Sequence, residues 1–514
     1  MSYLISGDRW FTTGEIQTRS AQVAAGLQDM GLQPGDAVAI CLRNDIAFFE
    51  ASMATAILGC FPVQINWHST AAEVRYILDD CGAKALVIHA DLLIERRTAI
   101  PEGVAVLVVE TPPEIRDAYG ISEQNGKAAP GDLEWESWRD QFTPREFDPA
   151  SYPATIIYTS GTTGTPKGVR RPPFSPEAMQ RIAEMFTQSY GFHLVDDPTT
   201  VVTAVVGPAY HAAPNNHALF SLRMGAGIVV MPRFNPEELL RLIEAERITH
   251  LNMVPIMFSR LLKLPPEVRA RYDLSSLKYV AHAAAPCPPD VKRAMIDWWG
   301  PVIYEYYGAT EIGNVTFCSS QEWLDHPGTV GKAMVGAVIR ILDDNGNELP
   351  ANSVGEIAAV IPGSGDFVYH NDENKRAGVD RDGLVAPGDI GYLDDDGHLF
   401  ICDRKVDMII SGGVNIYPAE IEAALHLMPG IADCAVFGIP DDEYGESVCA
   451  VVQRRRGHED LSASDIQDFL RERIAGFKIP RRIDFAEDLP REDSGKIFKR
   501  KLRESYWQAA GRAL

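Results

Sequence analysis

Short apolar segments alternate with amphipathic segments along the first two-thirds of the chain. Near the N-terminus the order is AVAICL, FFEASMATAILG, PVQIN, AEVRYILDDCG and AKALVIHA, and a similar alternation returns later as PEELLRLIEAERI, THLNMVP, LKYVAHAAA and PPDVKRAMIDWWG. Short apolar strands that alternate with helical patterns are typical of a mostly parallel sheet covered by helices. The two occurrences therefore predict an α/β fold with two α/β layers in one large lobe.

The pattern changes near residue 330. The segments VGAVIRILDDNGNELP, VGEIAAVIPG and GYLDDDGHLFICDR place short strands around Asp-Asn-Gly and Asp-Gly turns, which predicts a small antiparallel, barrel-like piece. After residue 403, helix, strand, strand and helix are predicted in PAEIEAALHLMPG, IADCAVFGIP, ESVCAVVQ and SASDIQDFLRERI. We therefore expect an N-terminal domain over residues 1–403 and a small α+β domain over residues 404–514.

The chain length supports this division, because a single hydrophobic core stops growing beyond roughly 250–300 residues and this chain has 514. The net charge of −23 argues against nucleic acid as a general partner, since such binding needs a broad basic surface. One local exception is the segment from Arg471 to Leu514, where twelve Lys or Arg oppose seven Asp or Glu, a net charge of +5. This segment is either a solvated basic face or a site for an anionic ligand.

The eight cysteines are scattered without C-x-x-C spacing, and the histidines form no cluster along the sequence. This pattern is typical of buried thiols in a reducing compartment, and it argues against a zinc site. The N-terminus lacks the pattern of a signal peptide, and no stretch approaches the ~18 apolar residues of a membrane span. We therefore expect a cytoplasmic protein without stable membrane insertion. The sequence leaves its oligomeric state open, a homodimer included.

The segment YTSGTTGTPKG, residues 158–168, directly follows an apolar run and combines glycines, hydroxyl side chains and a lysine. Glycine lets backbone N–H groups converge on an anion and lysine adds a positive charge, so this loop is suited to a polyphosphate. A Walker A motif is excluded, because counting from Gly161 places Pro166 at the second glycine and Gly168 at the hydroxyl position. The loop therefore indicates another class of nucleotide-binding protein.

Five further segments carry candidate chemistry, and each is also compatible with an ordinary turn or structural role when it is taken alone. In YGATE, residues 307–311, an aromatic ring, a hydroxyl and a carboxylate suit a base, a phosphate and Mg²⁺. In APGD, residues 386–389, a turn aspartate suits the hydroxyls of a ribose. The remaining segments are PAYH (208–211), DRKVDMIISGGVNIYPAEIE (403–422) and LPREDSGKIFKRKL (489–502).

In their order along the chain, YTSGTTGTPKG, YGATE, the 403–422 segment and the SGK loop closely resemble the adenylate-forming superfamily of acyl- and aryl-CoA ligases, nonribosomal adenylation domains and luciferases. The resemblance covers nearly the whole chain. It implies an enzyme in which a carboxylate attacks the α-phosphate of Mg·ATP, giving an acyl-adenylate and pyrophosphate. A thiol, usually of coenzyme A, then displaces AMP. The first step needs cations and N–H donors around the phosphate and no protein nucleophile.

The resemblance implies a polyphosphate site that both domains build. Its first loop would embrace the β- and γ-phosphates through Thr159, Ser160, Gly161, Thr162, Thr163, Gly164 and Lys167. Thr310 would contact the α-phosphate, and Glu311 would hold Mg²⁺. Lys496 would reach from the small domain to the carboxylate and the α-phosphate during adenylation.

The resemblance also implies where the adenosine lies. Adenine would stack on Tyr307, with Ala283, Ala284 and Ala285 along its other face. Asp389 would bind the ribose hydroxyls, and Arg404 would assist. The small domain would rotate about a pivot just after Arg404 between the two half-reactions. Many relatives carry Asp or Lys at the position aligned with Val406, so the identity of the pivot residue stays open.

Two further sites follow from the resemblance. His211 would lie at the mouth of an acyl pocket, whose wall candidates are Val206, Pro208, His211, Asn215, Tyr306 and Gly308. The pantetheine channel of coenzyme A would be bordered by Ser411, Gly412 and Gly413. The basic tail would offer Lys478, Arg481 and Arg482 to the phosphates of coenzyme A.

The choice among subfamilies depends on the acid and on the acceptor. Acetyl-CoA synthetases resemble this chain but carry tryptophan at the position aligned with Gly308, so glycine implies room for a medium-chain, aromatic or alicyclic acid. Relatives that activate amino acids place an aspartate after the His211 region, and residues 211–217 contain none.

Fewer than ~20 residues follow Lys496, too few for a carrier domain, so coenzyme A is the expected acceptor. The alternatives are an enzyme that loads a separate carrier protein and a nucleotide-binding protein without catalysis.

Overall fold

The computed structural model describes residues 2–145, 156–159, 167–171, 174–370, 373–491 and 497–510. The strands in chain order are β1 (Tyr3–Ser6), β2 (Arg9–Thr12), β3 (Ala37–Cys41), β4 (Phe61–Gln64), β5 (Ala83–His89), β6 (Ala105–Val109), β7 (Leu133–Glu134), β8 (Ile156–Thr159), β9 (Lys167–Arg170), β10 (Val202–Val205), β11 (Gly227–Val230), β12 (His250–Met253), β13 (Tyr279–His282), β14 (Ile303–Glu305), β15 (Gly308–Ala309), β16 (Gly313–Asn314), β17 (Thr316–Phe317), β18 (Lys332–Ala333), β19 (Val338–Leu342), β20 (Gly355–Val360), β21 (Val368–Tyr369), β22 (Asp380–Arg381), β23 (Leu384–Val385), β24 (Asp389–Leu393), β25 (Leu399–Arg404), β26 (Ile409–Ser411), β27 (Val414–Ile416), β28 (Ile431–Asp441), β29 (Gly445–Arg454) and β30 (Arg482–Ala486).

The α-helices in chain order are α1 (Thr13–Asp29), α2 (Ile46–Ile57), α3 (Ala71–Cys81), α4 (Ala90–Arg96), α5 (Pro113–Tyr119), α6 (Trp135–Arg139), α7 (Pro176–Ser189), α8 (Ala212–Arg223), α9 (Pro236–Glu246), α10 (Pro255–Leu262), α11 (Pro266–Arg269), α12 (Pro289–Trp299), α13 (Ser320–Asp325), α14 (Glu373–Gly378), α15 (Pro418–His426), α16 (Ala463–Arg471) and α17 (Lys499–Ala509). Across the described ranges, no helix combines the length and the apolar character that crossing a bilayer requires.

Helix α3 shows how the sequence fixes these boundaries. Thr70 lies at the N-cap and accepts the N–H of Glu73, while the Glu73 carboxylate accepts the N–H of Thr70. This reciprocal capping box satisfies N–H groups that would otherwise lack partners at the start of a helix. The helix ends at Gly82, whose φ of +61° lies in the left-handed region that glycine adopts without strain.

The first sheet has the strand order β21-β9-β8-β4-β3-β5-β6-β7. Strand β3 pairs in parallel with both β4 and β5, and β4 pairs in parallel with β8. Every residue of β3 is buried, as expected of a parallel strand with helices on both faces of its sheet. The predicted parallel α/β layer is therefore confirmed.

The second sheet has the order β14-β13-β12-β10-β11-β1-β2 and is the second predicted layer. Strands β12, β13 and β14 are parallel and in register, so that Met253 lies beside His282 and His282 beside Glu305. Their carboxyl ends therefore open onto one edge of the sheet. Ligands of open α/β sheets bind at such an edge.

An antiparallel sheet follows, as predicted. It has the order β22-β23-β20-β24-β25, with β19 also paired to β20. Strands β24 and β25 form a hairpin whose open end pairs Asp389 with Arg404 and whose turn spans residues 394–398. The strand register therefore determines which side chains meet at the open end.

The C-terminal unit contains the four predicted elements as α15, β28, β29 and α16. It also contains the β26–β27 hairpin, strand β30 and helix α17, which the sequence pattern did not predict. Its sheet has the order β27-β26-β29-β28, with β30 paired in parallel to β29. The proposed boundary between residues 403 and 404 falls at the end of β25 and stays a prediction.

Candidate active site

The predicted polyphosphate loop connects two antiparallel strands. Strands β8 and β9 are paired up to Thr159 and Lys167. A Walker A loop instead connects a strand to a helix, so this topology agrees with the exclusion of that motif. Several predicted residues lie outside the described part of the chain: Ser160, Gly161, Thr162, Thr163, Gly164 and Lys496. For Thr159 and Lys167 the structure describes the backbone alone.

Arg171 joins this hairpin to the YGATE turn. It directly follows β9, and its Nη2 donates to the carbonyl oxygens of Thr310 at 3.0 Å and of Glu311 at 2.9 Å. The Arg171 guanidinium therefore fixes the backbone of both predicted ligand residues, Thr310 and Glu311. Arg171 was not predicted from the sequence, because the contact spans about 140 residues and Arg171 belongs to no predicted binding motif.

The Glu311 carboxylate is held by a second residue that the sequence analysis missed. Tyr369 lies on β21 opposite Val169 of β9, and its hydroxyl donates to Glu311 Oε1 at 3.0 Å. A carboxylate offers about four lone-pair positions, so this bond leaves capacity for a cation. Arg171 and Tyr369 therefore orient the predicted metal ligand from its backbone and from its side chain.

Tyr307, Asp389 and Arg404 form one hydrogen-bonded group. The Tyr307 hydroxyl donates to Asp389 Oδ2 at 2.7 Å, and Arg404 Nε donates to Asp389 Oδ1 at 3.1 Å. Asp389 and Tyr307 are buried, whereas half of the Arg404 side chain is exposed. Burial and the neighbouring Asp389 carboxylate raise the pKa of Tyr307 well above its usual value. The structure therefore brings together three of the six residues predicted for the adenosine.

The alanine segment directly follows β13. Ala284 has a φ of +72°, a left-handed conformation that residues with a Cβ seldom adopt. Ala283 donates its N–H to Met253 at 3.3 Å, which ties the segment to the end of β12. Strained backbone of this kind concentrates at ligand sites. Ala283 and Ala284 also line a cavity at this edge of the sheet.

That cavity opens beside the carboxyl ends of β10, β12 and β13. Its lining is mostly apolar and consists of Gly207, Ala213, Pro214, Asn252, Met253, Val254, Met257, Ala283 and Ala284. The polar exception is Asn252, whose Oδ1 accepts the Tyr306 hydroxyl at 3.2 Å and whose Nδ2 donates to Ala213 at 3.4 Å. The cavity therefore offers an apolar chamber with one oriented amide.

The predicted acyl-pocket residues come from the segments around this cavity, but their neighbours form its lining. Val206 packs in the core behind it, and Pro208 follows Gly207 in sequence. Asn215 is buried and donates to the carbonyl of Ala209 at 3.0 Å. His211 lies at the N-cap of α8 with its ring packed on Tyr210. Their contact with an acyl group stays a prediction.

Gly308 has a local reason to be glycine. It pairs with Asn314 across the β15–β16 hairpin. A Cβ at this position would lie 2.2 Å from the Gly313 carbonyl oxygen and 2.8 Å from Asn314 Cα. Such contacts with backbone exclude a side chain unless the hairpin moves. The small residue therefore serves the hairpin, whatever its effect on the acid.

A buried ionic cluster lies beneath the same edge. Lys292 Nζ lies 2.5 Å from Glu305 Oε2, and His282 Nε2 lies 3.5 Å from that oxygen. Burial raises the pKa of Glu305 and lowers that of His282 well below its usual value. Within the described chain neither ring nitrogen of His282 makes a hydrogen bond. The neutral His282 and the Lys292–Glu305 ion pair therefore support the carboxyl ends of β13 and β14.

In the C-terminal unit, Ser411, Gly412 and Gly413 form the turn of the β26–β27 hairpin. The two glycines have φ values of +58° and +80°. A Cβ on Gly412 would lie 3.0 Å from the Tyr444 ring, and the Arg481 guanidinium lies over that ring, 4.2 Å from its centroid. Glycine is therefore favoured here both by the backbone and by the close aromatic ring.

All three basic residues predicted for coenzyme A have acidic neighbours. Lys478 Nζ lies 2.6 Å from Glu420 Oε2, Arg482 Nε lies 2.8 Å from Asp484 Oδ2, and Arg481 Nη1 lies 3.8 Å from Asp441 Oδ2. Each charge is therefore partly neutralised within the C-terminal unit. Arg481, beside the glycine turn, is the basic residue whose position the structure links most directly to that turn.

The predicted pivot region is anchored at one end. The Asp403 carboxylate accepts the N–H of Ala419 at 2.8 Å, at the start of α15. Burial raises the pKa of Asp403 to about 6. Three residues later, Val406 is 53% exposed. A rigid anchor next to an exposed position agrees with a pivot here, and the pivot residue itself stays a prediction.

Two family models match the chain. The AMP-binding enzyme model matches residues 2–363, and the model of the AMP-binding enzyme C-terminal domain matches residues 420–496. The first model covers the cavity, the YGATE turn and the loop between β8 and β9. The second begins after the glycine turn and ends at Lys496.

Curated relatives match over almost the full chain. The fatty acid–acyl-carrier-protein ligase ScoC of Streptomyces coeruleorubidus is 31% identical, covering 98% of this chain and 93% of that protein. A CoA ligase of Rhodococcus jostii (strain RHA1), named for a 7a-methyl-1,5-dioxo-octahydro-inden-4-yl propanoyl group, is also 31% identical, covering 98% of this chain and 95% of that protein. The two names differ in both acid and acceptor.

The fold is shared with solved structures. ATP-bound MatB from Rhodopseudomonas palustris superposes with a TM-score of 0.83 at 27% identity, covering 98% of this chain and 96% of that one. The expected architecture of a large N-terminal and a small C-terminal domain is therefore confirmed.

Proposed function

Since this chain belongs to the family of AMP-binding enzymes, we propose that it is an ATP-dependent acid–CoA ligase. In the first half-reaction a carboxylate oxygen bonds to the α-phosphorus of ATP, and pyrophosphate leaves. In the second, the sulfur of coenzyme A bonds to the acyl carbon, and AMP leaves with the electron pair of the broken C–O bond. The products are acyl-CoA, AMP and pyrophosphate.

The observation that carries this proposal is the group of Tyr307, Asp389 and Arg404. Each carboxylate oxygen of Asp389 accepts one hydrogen bond from the protein and keeps a further lone pair. A ribose presents two adjacent hydroxyls, which match two acceptors on one rigid carboxylate. The Tyr307 ring, fixed through its hydroxyl, supplies a flat surface for adenine. These residues therefore fit the adenosine of ATP.

The residues around the YGATE turn fit the phosphates and their cation. The Glu311 carboxylate, oriented by Tyr369 and Arg171, is a hard oxygen ligand of the kind that Mg²⁺ prefers. Bound Mg²⁺ neutralises charge on the phosphate oxygens. Thr310 is proposed to donate to the α-phosphate. The loop between Thr159 and Lys167 is proposed to hold the β- and γ-phosphates as the leaving group.

Adenylation requires stabilisation of negative charge on the α-phosphate oxygens as the carboxylate attacks. Lys496 is proposed to supply this charge. Its loop is bounded by a β-bridge between Arg491 and Ile497, and Lys496 directly precedes Ile497. The nucleophile is the substrate carboxylate itself, so the protein contributes positioning and electrostatics.

For the second half-reaction, the turn of Ser411, Gly412 and Gly413 is proposed to border the pantetheine of coenzyme A. Without side chains, the two glycines let a ligand approach the backbone closely. Arg481 is placed beside the turn and carries the charge that a phosphate of coenzyme A requires. Rotation about the segment after Arg404 is proposed to bring this turn to the acyl-adenylate.

The cavity supports an acid with an apolar body, because its lining is mostly apolar. Met253, Val254 and Met257 suit aliphatic or aromatic carbon. Asn252 offers an amide for one polar group on that body. Aromatic, alicyclic and medium-chain acids are therefore the proposed substrates.

The direct test is a panel of such acids with purified protein, ATP, Mg²⁺ and coenzyme A. The proposal expects acid-dependent release of AMP and formation of the matching acyl-CoA. Straight-chain acids of increasing length, run beside benzoate and cyclohexane carboxylates, locate the size limit. Absence of AMP release with every acid would contradict the proposal.

A second candidate is loading of a separate carrier protein. The similarity to ScoC, named as an acyl-carrier-protein ligase, favours including it. The two functions differ in the acceptor alone, so the same acid is offered with coenzyme A or with a phosphopantetheinylated carrier. If the thioester forms faster with the carrier than with coenzyme A, the carrier is the acceptor.

The assignment of Lys496 has its own test. Lys496→Ala is expected to abolish formation of the adenylate and to leave conversion of preformed adenylate to the thioester largely intact. Lys127→Ala is the matched control, because that lysine is paired with Glu110 and belongs to no predicted site. Equal loss of both half-reactions in Lys496→Ala would contradict the proposed role.

A further inference from the structure

Two histidines and an aspartate outside the predicted motifs meet at the turn of the β24–β25 hairpin. His398 Nδ1 lies 3.3 Å from Asp394 Oδ2, and His326 Nδ1 lies 3.4 Å from the same oxygen. The two imidazole rings are stacked with their centroids 3.7 Å apart. One ligand atom from each residue lies within 4.8 Å of the other two. The cluster thus presents two nitrogens and one oxygen to a common point.

The fold orients the carboxylate of this cluster. Asp394 Oδ1 accepts the backbone N–H groups of Asp396 at 3.0 Å and of His398 at 2.8 Å. These bonds belong to the hairpin turn and direct the other oxygen, Oδ2, toward the two rings. Groups that orient a ligand in this way are a regular part of metal sites.

A second, independent observation comes from the buried side chain of His398. Its side chain is only 4% exposed. Among the residues that the structure describes, its Nδ1 finds no hydrogen-bond partner. Buried polar atoms nearly always have a partner, and an exception calls for a water, an ion or a functional role. This nitrogen lies 3.3 Å from Asp394 Oδ2 without forming a hydrogen bond to it.

Two of the three ligand-to-ligand distances match a tetrahedral site. Zinc binds His nitrogen and carboxylate oxygen at ~2.0–2.2 Å, and a tetrahedron with bonds of that length has ligand-to-ligand edges of about 3.4 Å. The two nitrogen-to-oxygen distances, 3.3 and 3.4 Å, are of this length. His326 is 30% exposed and Asp394 18%, so solvent reaches two of the three ligands.

We propose that His326, Asp394 and His398 bind a zinc-class divalent cation. Two imidazoles and one carboxylate suit Zn²⁺, Co²⁺ or Ni²⁺, whereas Mg²⁺ and Ca²⁺ prefer sites made of oxygen alone. The site is separate from the predicted Mg²⁺ ligand Glu311. The sequence argued against zinc because neither cysteines nor histidines cluster along the chain. The fold assembles the site from His326 after α13 and from a hairpin turn more than sixty residues later.

The cation joins two parts of the structure. His326 precedes residues 329–331, which already bond to the hairpin through Val330 N–H to the Leu399 carbonyl at 2.9 Å and Leu399 N–H to the Gly331 carbonyl at 2.8 Å. The same hairpin carries Asp389 and Arg404 at its other end. Bound metal therefore stabilises the hairpin and thereby the strand register that pairs these two residues.

The test uses the full-length protein, freed of any affinity tag, treated with a chelator and then dialysed. Co²⁺ is titrated first, because tetrahedral Co²⁺ has intense visible absorption bands, and Zn²⁺ is then used to displace it. The wild type is expected to bind one equivalent of Co²⁺ with such bands. Saturating Zn²⁺ is expected to raise its melting temperature, since a ligand that binds the native state stabilises it.

Two variants make the result specific. His326→Ala removes a partly exposed ligand at the end of a helix and is expected to weaken Co²⁺ and Zn²⁺ binding by more than about tenfold. His193→Ala, an exposed histidine outside the cluster, is the control and should bind metal as the wild type does. Absence of the tetrahedral spectrum in the wild type, or equal binding by His326→Ala, would overturn the proposal. Neither readout depends on enzymatic activity.

Discussion

Asp389 and Arg404 lie directly opposite each other on the antiparallel strands β24 and β25, and Arg404 Nε donates to Asp389 Oδ1 at 3.1 Å. The strand register therefore places the guanidinium beside the carboxylate without a loop of special conformation. Tyr307 donates to the second oxygen of the same carboxylate. The carboxylate proposed for the ribose is thus fixed on both sides before a nucleotide binds.

Asp389→Asn is expected to weaken ATP binding about 10- to 100-fold. The change keeps the shape but removes the charge, and one oxygen acceptor becomes a donor that faces the Tyr307 hydroxyl. Hydrogen bonds to charged groups contribute about 1.5–3 kcal/mol, and each 1.4 kcal/mol is about tenfold in affinity. Calorimetric titration with ATP measures the change. Asp396→Asn, at the exposed turn of the same hairpin, should bind ATP as the wild type does.

Tyr369→Phe is expected to raise the Mg²⁺ concentration needed for half-maximal activity by about tenfold. The variant loses the hydroxyl that orients the Glu311 carboxylate, and loss of such orienting partners weakens metal sites by ~10–100-fold. Activity is measured over a range of Mg²⁺ at saturating ATP. Tyr392→Phe removes a hydroxyl from the adjoining sheet and serves as the control. An unchanged Mg²⁺ requirement in Tyr369→Phe would count against the role of Glu311.

Lys292→Met is expected to lower the free energy of unfolding by about 3–5 kcal/mol, because it leaves the Glu305 carboxylate buried without its ionic partner. Urea denaturation measures the loss. The double variant Lys292→Met/Glu305→Gln removes both charges and should recover part of the stability. If the single variant matched the wild type, the ion pair would have no structural role.

Asp403→Asn tests the anchored side of the pivot through pH. Burial raises the pKa of Asp403 from 3.8 to about 6, so the native state binds this proton more tightly than the unfolded state does. Its contribution to stability is present below pH 3.8 and is lost as the pH rises through about 6. The stability of the wild type relative to Asp403→Asn should therefore fall by about 2–3 kcal/mol between pH 4 and pH 7. Urea unfolding at several pH values measures this difference, and a constant difference would contradict the prediction.

The fold was predictable wherever the signal is local. Helix α9 was predicted over residues 236–248 and spans Pro236–Glu246, because its apolar periodicity and its Asn235 cap lie in one short segment. Strand β30 was missed, since its residues are only partly buried and its identity as a strand comes from pairing with β29. Helix α17 was missed for a related reason, because none of its residues is fully buried.

Site residues were predictable where they belong to a recognisable sequence motif. Asp389, Arg404 and Tyr307 were predicted from the family resemblance, and the structure brings them together. Arg171 and Tyr369 were not predicted, because what links them to the YGATE turn is the pairing of β9 with β21 and contacts across more than fifty residues. Contacts between residues so far apart in the chain produce no pattern within a short stretch of sequence.

The acyl-pocket residues were predicted from the segments that also line the cavity. Gly207, Ala213 and Pro214 of its lining lie between or beside the predicted Val206, Pro208, His211 and Asn215, whose contact with an acid stays a prediction. Which side chain faces the cavity depends on how α8 packs on the strand ends. In the sequence, glycine at position 308 was taken to make room for a larger acid. In the structure, the close backbone contacts of the β15–β16 hairpin already require glycine at this position.

Exchange of labelled pyrophosphate into ATP without coenzyme A, followed by addition of coenzyme A, follows the two proposed half-reactions separately. Exchange requires a reversible adenylation and therefore depends on the acid. We expect an acid with an apolar body to support exchange, and coenzyme A then to convert the bound adenylate to acyl-CoA with release of AMP. Tight binding of ATP without exchange for every acid in the panel would show a nucleotide-binding protein without ligase activity and would overturn the proposed function.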